Sequence, residues 1–441
     1  MAMDTAMAMD TVMGKRTNRL NSMLLNFSMT GHGQSRRMTV WARMALMFFC
    51  ALIAYWAAAN AVVNVTKRKN PDTALSINPS DPVALTLRAD LQFLAGQDTA
   101  SLEKVDYAVR KALGAQTLNA TALRILAYVA DMRGDGARAQ DLVAASTQLS
   151  RRDFGAQLWL IEAAVRKDHT KTALGHYDIA MRTNYDARTV LFPTLAGALV
   201  RQDVREALVP YVKASPQWLP GFLHEAIGAA DSPADVANLI MLSGGLPATI
   251  SRGNLADYLL SQLAGKDQLG TFKQYYESLP NSNASALQSV AFDKNTVGTS
   301  YPTAGWQLFE DVGVGGKFVS VANTGSNVLM AFANSGQRNI VTRKLLFLPT
   351  GRYRINVSHK SDSSPSNAEA TWDIQCLLAN SGTKLLWSET VPVSRGGFSV
   401  IGAFSVDSSC DAEMINLNVA GGSDQLGTEF SVEKVSISSD R

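Results

Sequence analysis

The sequence predicts a multidomain chain: one transmembrane helix, then an all-α region of helical repeats, then an all-β sandwich. Three observations support this prediction. An uncharged apolar run lies near the start of the chain, a 34-residue spacing of small residues marks the middle, and short alternating strand patterns occupy the last third. The 441 residues are enough for two or three domains.

The composition excludes several classes of protein. The 41 basic and 38 acidic residues leave a formal net charge of +3, so we expect no nucleic acid partner. Three cysteines are too few for a disulfide-dense mini-protein or for a four-cysteine zinc site.

Residues 44–65 are predicted to form a transmembrane signal-anchor in the lipid bilayer. The 20 residues 44–63 contain no charge, and as a helix they would span about 30 Å, which is enough to cross the hydrocarbon core. A buried helix of this length in a soluble protein would show a polar face, which is absent here. Residues 1–40 are rich in Met and lack apolar periodicity, so we expect them to be disordered.

The charges that flank the apolar run predict its orientation. Six basic residues precede it and three follow it, which favours a cytoplasmic N-terminus and export of everything after residue 66. A cleaved signal peptide is the alternative, because Ala59, Asn60 and Ala61 form an A-x-A cleavage site near Ala61. The protein would then be secreted, and the rest of the chain is exported in both cases.

Residues 71–280 are predicted to form helices that repeat every 34 residues. Five sequence columns keep this spacing across three units, and small or aromatic residues dominate them. The columns are Leu126, Leu160, Thr194; Ala130, Ala164, Ala198; Ala139, Ala173, Ala207; Val143, Tyr177, Tyr211; and Ser146, Ala180, Ala214. Breaks between helices are expected at 133–136, 167–169 and 201–203, with Asn119, Asp153 and Asp186 as N-caps between units.

This unit resembles the tetratricopeptide repeat, although the resemblance is degenerate and covers about residues 71–215. The resemblance implies pairs of antiparallel helices that stack into a superhelix with a groove. It also implies that the repeats bind a protein partner, which we expect to be a protein of the cell envelope. It implies no catalysis.

Residues 300–441 are predicted to form a β-sandwich, joined to the repeats by a linker at 281–299. The linker prediction rests on the PNSNASA stretch at 280–286. Eight or nine short alternating runs follow at spacings of roughly ten residues, the pattern of a jelly roll. In one of them Tyr353, Ile355 and Val357 share a face, whereas the residues between them are polar.

The order of features in this region is more specific. It comprises W-x-x-F at 306–309, LLFLPTGRYRINV at 345–357, TWDIQC at 371–376 and CDAEMINL at 410–417. This order resembles the carbohydrate-binding-module type of jelly roll in bacterial envelope and exopolysaccharide proteins. The resemblance implies polysaccharide binding and a place in the bacterial inner membrane, with the bulk of the chain in the periplasm. Such modules often hold calcium through an Asp pair in the last strand, which Glu433 and Lys434 do not supply, so we expect no metal ion and no cofactor.

Cys376 and Cys410 are predicted to form a disulfide, because export would bring both strand residues into an oxidising compartment. Two unpaired core thiols are the alternative. Among the aromatic residues, Trp306 and Trp387 are the candidates for stacking on a glycan. Trp372 and Tyr353 share strand phase with apolar residues and are assigned to the core.

The sequence offers no catalytic residue. His224 and Glu225 begin an HExxH pattern, but Gly228 occupies the place of its second His, and no G-x-S-x-G motif occurs. We therefore expect a non-enzymatic, membrane-tethered periplasmic scaffold or binding protein for envelope or exopolysaccharide biosynthesis or export. The alternatives are a purely structural protein scaffold that binds no glycan, and a polysaccharide-modifying enzyme whose site is assembled from scattered residues.

Overall fold

The computed structural model describes residues 40–229, 233–248, 250, 252–321, 326–378, 382–423 and 427–440. Residues 1–39, most of the segment predicted to be disordered, lie outside this range. The chain divides into two compact units, one ending at Leu91 and the other beginning at Gln92, and each is described separately.

The first unit contains α1 (Val40–Thr66), α2 (Pro71–Ile77) and most of α3 (Pro82–Ala95), which continues into the second unit. Helix α1 includes the whole of the predicted membrane segment, and its large apolar side chains are exposed, as at Phe48 and Trp56. By length and composition, residues 43–66 could cross a membrane, and a signal sequence would meet the same criteria.

Helices continue through the second unit to residue 278, as the sequence predicted. They are α4 (Thr99–Ala115), α5 (Ala120–Met132), α6 (Gly136–Leu149), α7 (Phe154–Arg166), α8 (Thr170–Thr183), α9 (Ala187–Gly197), α10 (Gln202–Ala214), α11 (Leu219–Ala229), α12 (Pro233–Leu242), α13 (Arg252–Gly265) and α14 (Leu269–Ser278). The breaks after α5 and α7 fall at the predicted positions. The third break was predicted at 201–203, but α9 ends at Gly197 and α10 begins at Gln202, so Gln202 and Asp203 are helical. Buried Ala139 and Ala173 lie in α6 and α8, where small residues let neighbouring helices approach closely.

Two of the three predicted N-caps are confirmed. Asn119 Oδ1 accepts the Ala122 N–H at 3.0 Å, and Asp153 Oδ1 accepts the Ala156 N–H at 3.0 Å. The prediction for Asp186 is wrong. Its backbone is already helical (φ −67°, ψ −21°), and its side chain makes no capping hydrogen bond.

The sandwich consists of two five-stranded antiparallel sheets. Its strands are β1 (Gln307–Leu308), β2 (Val314–Ser320), β3 (Asn327–Ala333), β4 (Arg338–Leu346), β5 (Gly351–Ser361), β6 (Ala368–Leu378), β7 (Gly382–Pro392), β8 (Gly396–Val406), β9 (Cys410–Gly421) and β10 (Thr428–Ser439). The first sheet has the order β1-β4-β9-β6-β7 and the second has the order β2-β3-β10-β5-β8. Apolar side chains from both sheets form the core between them, among them Trp372, Ile415 and Val357.

The segment 281–299, predicted to be a linker, is packed against the sandwich. Leu287, Val290 and Phe292 are buried, and Leu287 O accepts the Phe347 N–H at 2.8 Å. The apolar residues interspersed in this otherwise polar segment fill the space beside the strands. The segment is therefore a structural part of the domain that follows it.

The last helices and the sandwich share one hydrophobic cluster. Phe272 of α14 stacks on Phe347, with ring centroids 5.7 Å apart, and Leu345 and Ala412 of the first sheet belong to the same cluster. The last helices therefore present an apolar surface on this side. The sandwich covers this surface at the C-terminal end of the helices.

Candidate functional site

The two aromatic residues predicted to contact a glycan do not form an open binding surface. Trp306 is buried, and its Nε1 donates to Val290 O at 3.2 Å. Trp387 is half-buried and faces the sandwich interior, where its indole lies directly over Gly402. Both indoles therefore stabilise the sandwich, and the glycan-contact prediction is wrong for Trp306.

The two residues assigned to the core are confirmed there. Trp372 is fully buried and donates from Nε1 to Nε2 of His359 at 2.9 Å. Tyr353 is buried and donates to Pro349 O at 2.6 Å.

The predicted disulfide is present. Cys376 of β6 and Cys410 at the start of β9 are bonded, with their Cα atoms 5.3 Å apart. The bond links two neighbouring strands of the first sheet.

Strict alternation in β6 and β9 gives the first sheet a polar outer face. In β6, Trp372, Ile374 and Cys376 point into the sandwich, so Thr371, Asp373 and Gln375 lie on the other side. In β9, Ile415 and Leu417 point inward, so Asn416 and Asn418 lie on the outer face. The same sequence pattern that builds the core therefore also builds this polar face.

The pairing register of the first sheet places five polar residues, one from each strand, in a line across the sheet. Successive pairs lie directly opposite each other, and we call the set the polar row: Gln307, Arg343, Asn416, Asp373 and Ser388. Neighbouring strands are about 4.8 Å apart, so the row spans roughly 19 Å. That length matches several sugar units of an extended polysaccharide.

Asp373 is the centre of the row's hydrogen-bond network. Its carboxylate accepts amide N–H groups from Asn416 at 2.8 Å, Gln375 at 2.9 Å and Asn418 at 3.1 Å. The carboxylate is largely buried, and these three bonds compensate for its lost hydration. Asn416 is itself buried, whereas Gln375 and Asn418 are partly exposed, and each of these two amides has a carbonyl oxygen and a second N–H beyond its bond to Asp373. The face therefore carries fixed donors and acceptors of the kind that sugar hydroxyls require.

Arg343 is held from two sides. Its Nε donates to Gln307 Oε1 at 3.1 Å, and its guanidinium carbon lies 4.8 Å from the centre of the Phe309 ring. Gln307 is fixed in turn, because its amide donates to Thr303 O at 3.1 Å.

The polar row is bounded on one side by the helices. Two residues along β4 and β9 from the polar row, on the side of the helices, Leu345 and Met414 lie opposite each other. They pack in the cluster that includes Phe272 of α14. On the other side the face continues with hydroxyl groups, where the Oγ1 atoms of Thr371 and Thr390 are 2.9 Å apart. The open part of the face is therefore polar and begins where the helical cover ends.

Sequence reasoning missed this site because it looked for aromatic platforms. The signal was present in the polar residues at alternate positions of 371–375 and 416–418. Across the described ranges, no group of three or more His, Cys, Asp or Glu residues is arranged to hold a metal ion.

No family model matches the chain, and no curated protein is similar to it in sequence. Solved structures with similar folds include the enzymatically active domain of tailspike protein 4 from bacteriophage CBA120, at 11% identity over 35% of this chain and 22% of that chain, with a TM-score of 0.26. They also include the carbohydrate-binding module TmCBM61 in complex with β-1,4-galactotriose, at 11% identity over 37% of this chain and 97% of that chain, with a TM-score of 0.23.

A third similar structure is the CBM22-1 xylan-binding domain of Paenibacillus barcinonensis Xyn10C. It is 14% identical over 34% of this chain and 92% of that chain, with a TM-score of 0.25.

Proposed function

We propose that the chain is a non-enzymatic binding protein whose sandwich binds polysaccharide along the polar row. The observation that carries this proposal is the alignment of Gln307, Arg343, Asn416, Asp373 and Ser388 across five strands, with the carboxylate of Asp373 accepting hydrogen bonds from three amides. A preorganised set of donors and acceptors binds hydroxyl groups without losing side-chain entropy.

We further propose that α1 tethers the protein to the bacterial inner membrane and that the chain beyond residue 66 is periplasmic. The exposed apolar surface of α1 and the disulfide between Cys376 and Cys410 support this location, because disulfides persist in oxidising compartments. In this proposal the helices hold a protein of the envelope, and the sandwich contacts the polysaccharide that is made or exported there.

Binding of the full-length protein, in detergent micelles, to a glycan array tests the polysaccharide proposal. Asp373→Ala removes the acceptor that orients three amides, so we expect at least a tenfold loss of affinity. Glu433→Ala is the control, because Glu433 is an exposed carboxylate on β10 of the other sheet. Equal binding by the wild type and the Asp373 variant, or no binding to any glycan, would contradict the proposal.

Reporter fusions at the C-terminus test the location. An alkaline phosphatase fusion should be active, and a reporter that functions only in the cytosol should be inactive. The opposite pattern would exclude export of the domain.

A purely structural role is the second candidate function. The shared cluster of Phe272, Phe347 and Leu345 favours it, because the sandwich would then serve only as the cap of the helical array. Silent glycan arrays together with a co-purifying envelope protein would support this second function.

A further inference from the structure

Arg343 differs from the other arginine of its strand in having no acidic partner. Arg338, at the start of β4, forms an ion pair with Glu369 at 2.8 Å. Within the described part of the chain, no carboxylate lies within ion-pair distance of Arg343. The row contains one acidic residue, Asp373, and Asn416 separates it from Arg343.

The guanidinium of Arg343 is fixed but not saturated. Its Nε is used by Gln307, and one face is covered by Phe309, whereas its two terminal amino groups have no hydrogen-bond acceptor among the described residues. A guanidinium in this state presents a planar pair of donors in a fixed orientation. That geometry matches the two oxygens of a carboxylate.

The carboxylate of Asp373 is not paired with the guanidinium of Arg343. Two strand spacings, about 10 Å, separate the two positions along the row. Three amides already donate to the carboxylate of Asp373. The charged group of the row whose hydrogen-bonding atoms are still without partners among the described residues is therefore Arg343.

We propose that the row selects an acidic polysaccharide and that Arg343 binds the carboxylate of a uronic acid unit. This inference rests on the proposed function, because it names the ligand class of the same face. Gln307, which lies beside Arg343 in register and is partly exposed, meets hydroxyl groups of the same or an adjacent sugar unit. Neutral glycans bind through the amides alone and therefore more weakly.

Paired ligands that differ only in charge test the inference. Oligomers of galacturonate, mannuronate and glucuronate are compared with their methyl esters, using the full-length protein in micelles and calorimetric titration at low salt. A charge-assisted bidentate contact contributes about 1.5 to 3 kcal/mol, so the wild type should prefer at least one free acid over its ester by about tenfold or more.

Two variants assign that preference to one side chain. Arg343→Gln should bind acid and ester with equal affinity, because it should weaken binding of the acid about tenfold more than binding of the ester. Arg338→Gln, on the same strand, is the matched control and should keep the preference for the acid. Equal thermal unfolding midpoints for both variants verify that each is folded.

The outcomes separate the two proposals. If the wild type binds acid and ester equally, or if Arg343→Gln keeps the preference for the acid, the uronate inference is wrong and polysaccharide binding stands. If neither acids nor esters bind, and the glycan array is also silent, the proposed function fails and the inference fails with it.

Discussion

Replacing the buried Lys344 by methionine should stabilise the protein, and the gain should depend on pH. Lys344 is fully buried in the sandwich, and its Nζ donates to Ala304 O at 2.7 Å. Burial lowers its pKa from 10.5 to about 7, and the negative charge of Asp293 acts in the opposite direction. Methionine has a similar volume and carries no charge to dehydrate.

The sign and size of the pH effect follow from this shift. Between pH 7 and pH 10.5 the unfolded chain binds a proton at Lys344, whereas the folded protein does not. The free energy of unfolding of the wild type therefore falls as the pH is lowered from 10.5. It stops falling near pH 7, where the folded protein also binds the proton. As the pH rises from 7 to 9.5, the free energy of unfolding of the wild type should increase by about 3 kcal/mol relative to that of Lys344→Met. The lost hydrogen bond to Ala304 O costs about 1 kcal/mol at both pH values and cancels in the comparison.

Urea unfolding of the full-length protein in micelles, followed by tryptophan fluorescence, measures both free energies. Lys317→Met is the control, because Lys317 is exposed on β2 and its replacement should have no pH-dependent effect. If the difference between Lys344→Met and wild type is the same at both pH values, Lys344 is charged in the folded protein and the reasoning is refuted.

Three further predictions concern the sandwich. Burial raises the pKa of Glu413 to about 7, so the wild type should lose stability as the pH rises from about 4.5 to 7. Glu413→Gln should not show this loss, and thermal melts across that pH range measure the difference. Gly402→Ala should cost about 1 to 3 kcal/mol in urea unfolding, because its Cβ would overlap the Trp387 indole, whereas Gly397→Ala on the same strand meets only an atom 3.9 Å away and should cost little. Cys376→Ser should lower the free energy of unfolding by about 4 kcal/mol in the chain-entropy model, and an unchanged value would contradict that model here.

Local sequence signals predicted the helical region well. The breaks near 133 and 167 were predictable, because a 34-residue spacing and polar turn residues are local features. The caps at Asn119 and Asp153 follow from side-chain chemistry at helix starts. The cap at Asp186 failed because backbone conformation, which the sequence does not display, decides whether an aspartate can cap.

The polar row could not be predicted, since it depends on register between distant strands. Asn416 lies opposite both Arg343 and Asp373, and neither pairing is implied by spacing along the chain. Strand phase was enough to predict that Trp372 is buried. Trp306 precedes β1, and its burial depends on tertiary packing against Val290. The sequence could therefore indicate which faces are polar, but not which polar residues meet.

The site and the helical array are not independent parts. Leu345 and Met414 lie two residues along their strands from Arg343 and Asn416, a separation of about 7 Å, and they pack in the cluster that contains Phe272. Deleting the helices would expose these apolar side chains directly beside the polar row. Loss of glycan binding after such a deletion would therefore not distinguish a binding role from a structural one. Point variants such as Asp373→Ala can make that distinction, because they alter the row and leave the apolar cluster in place.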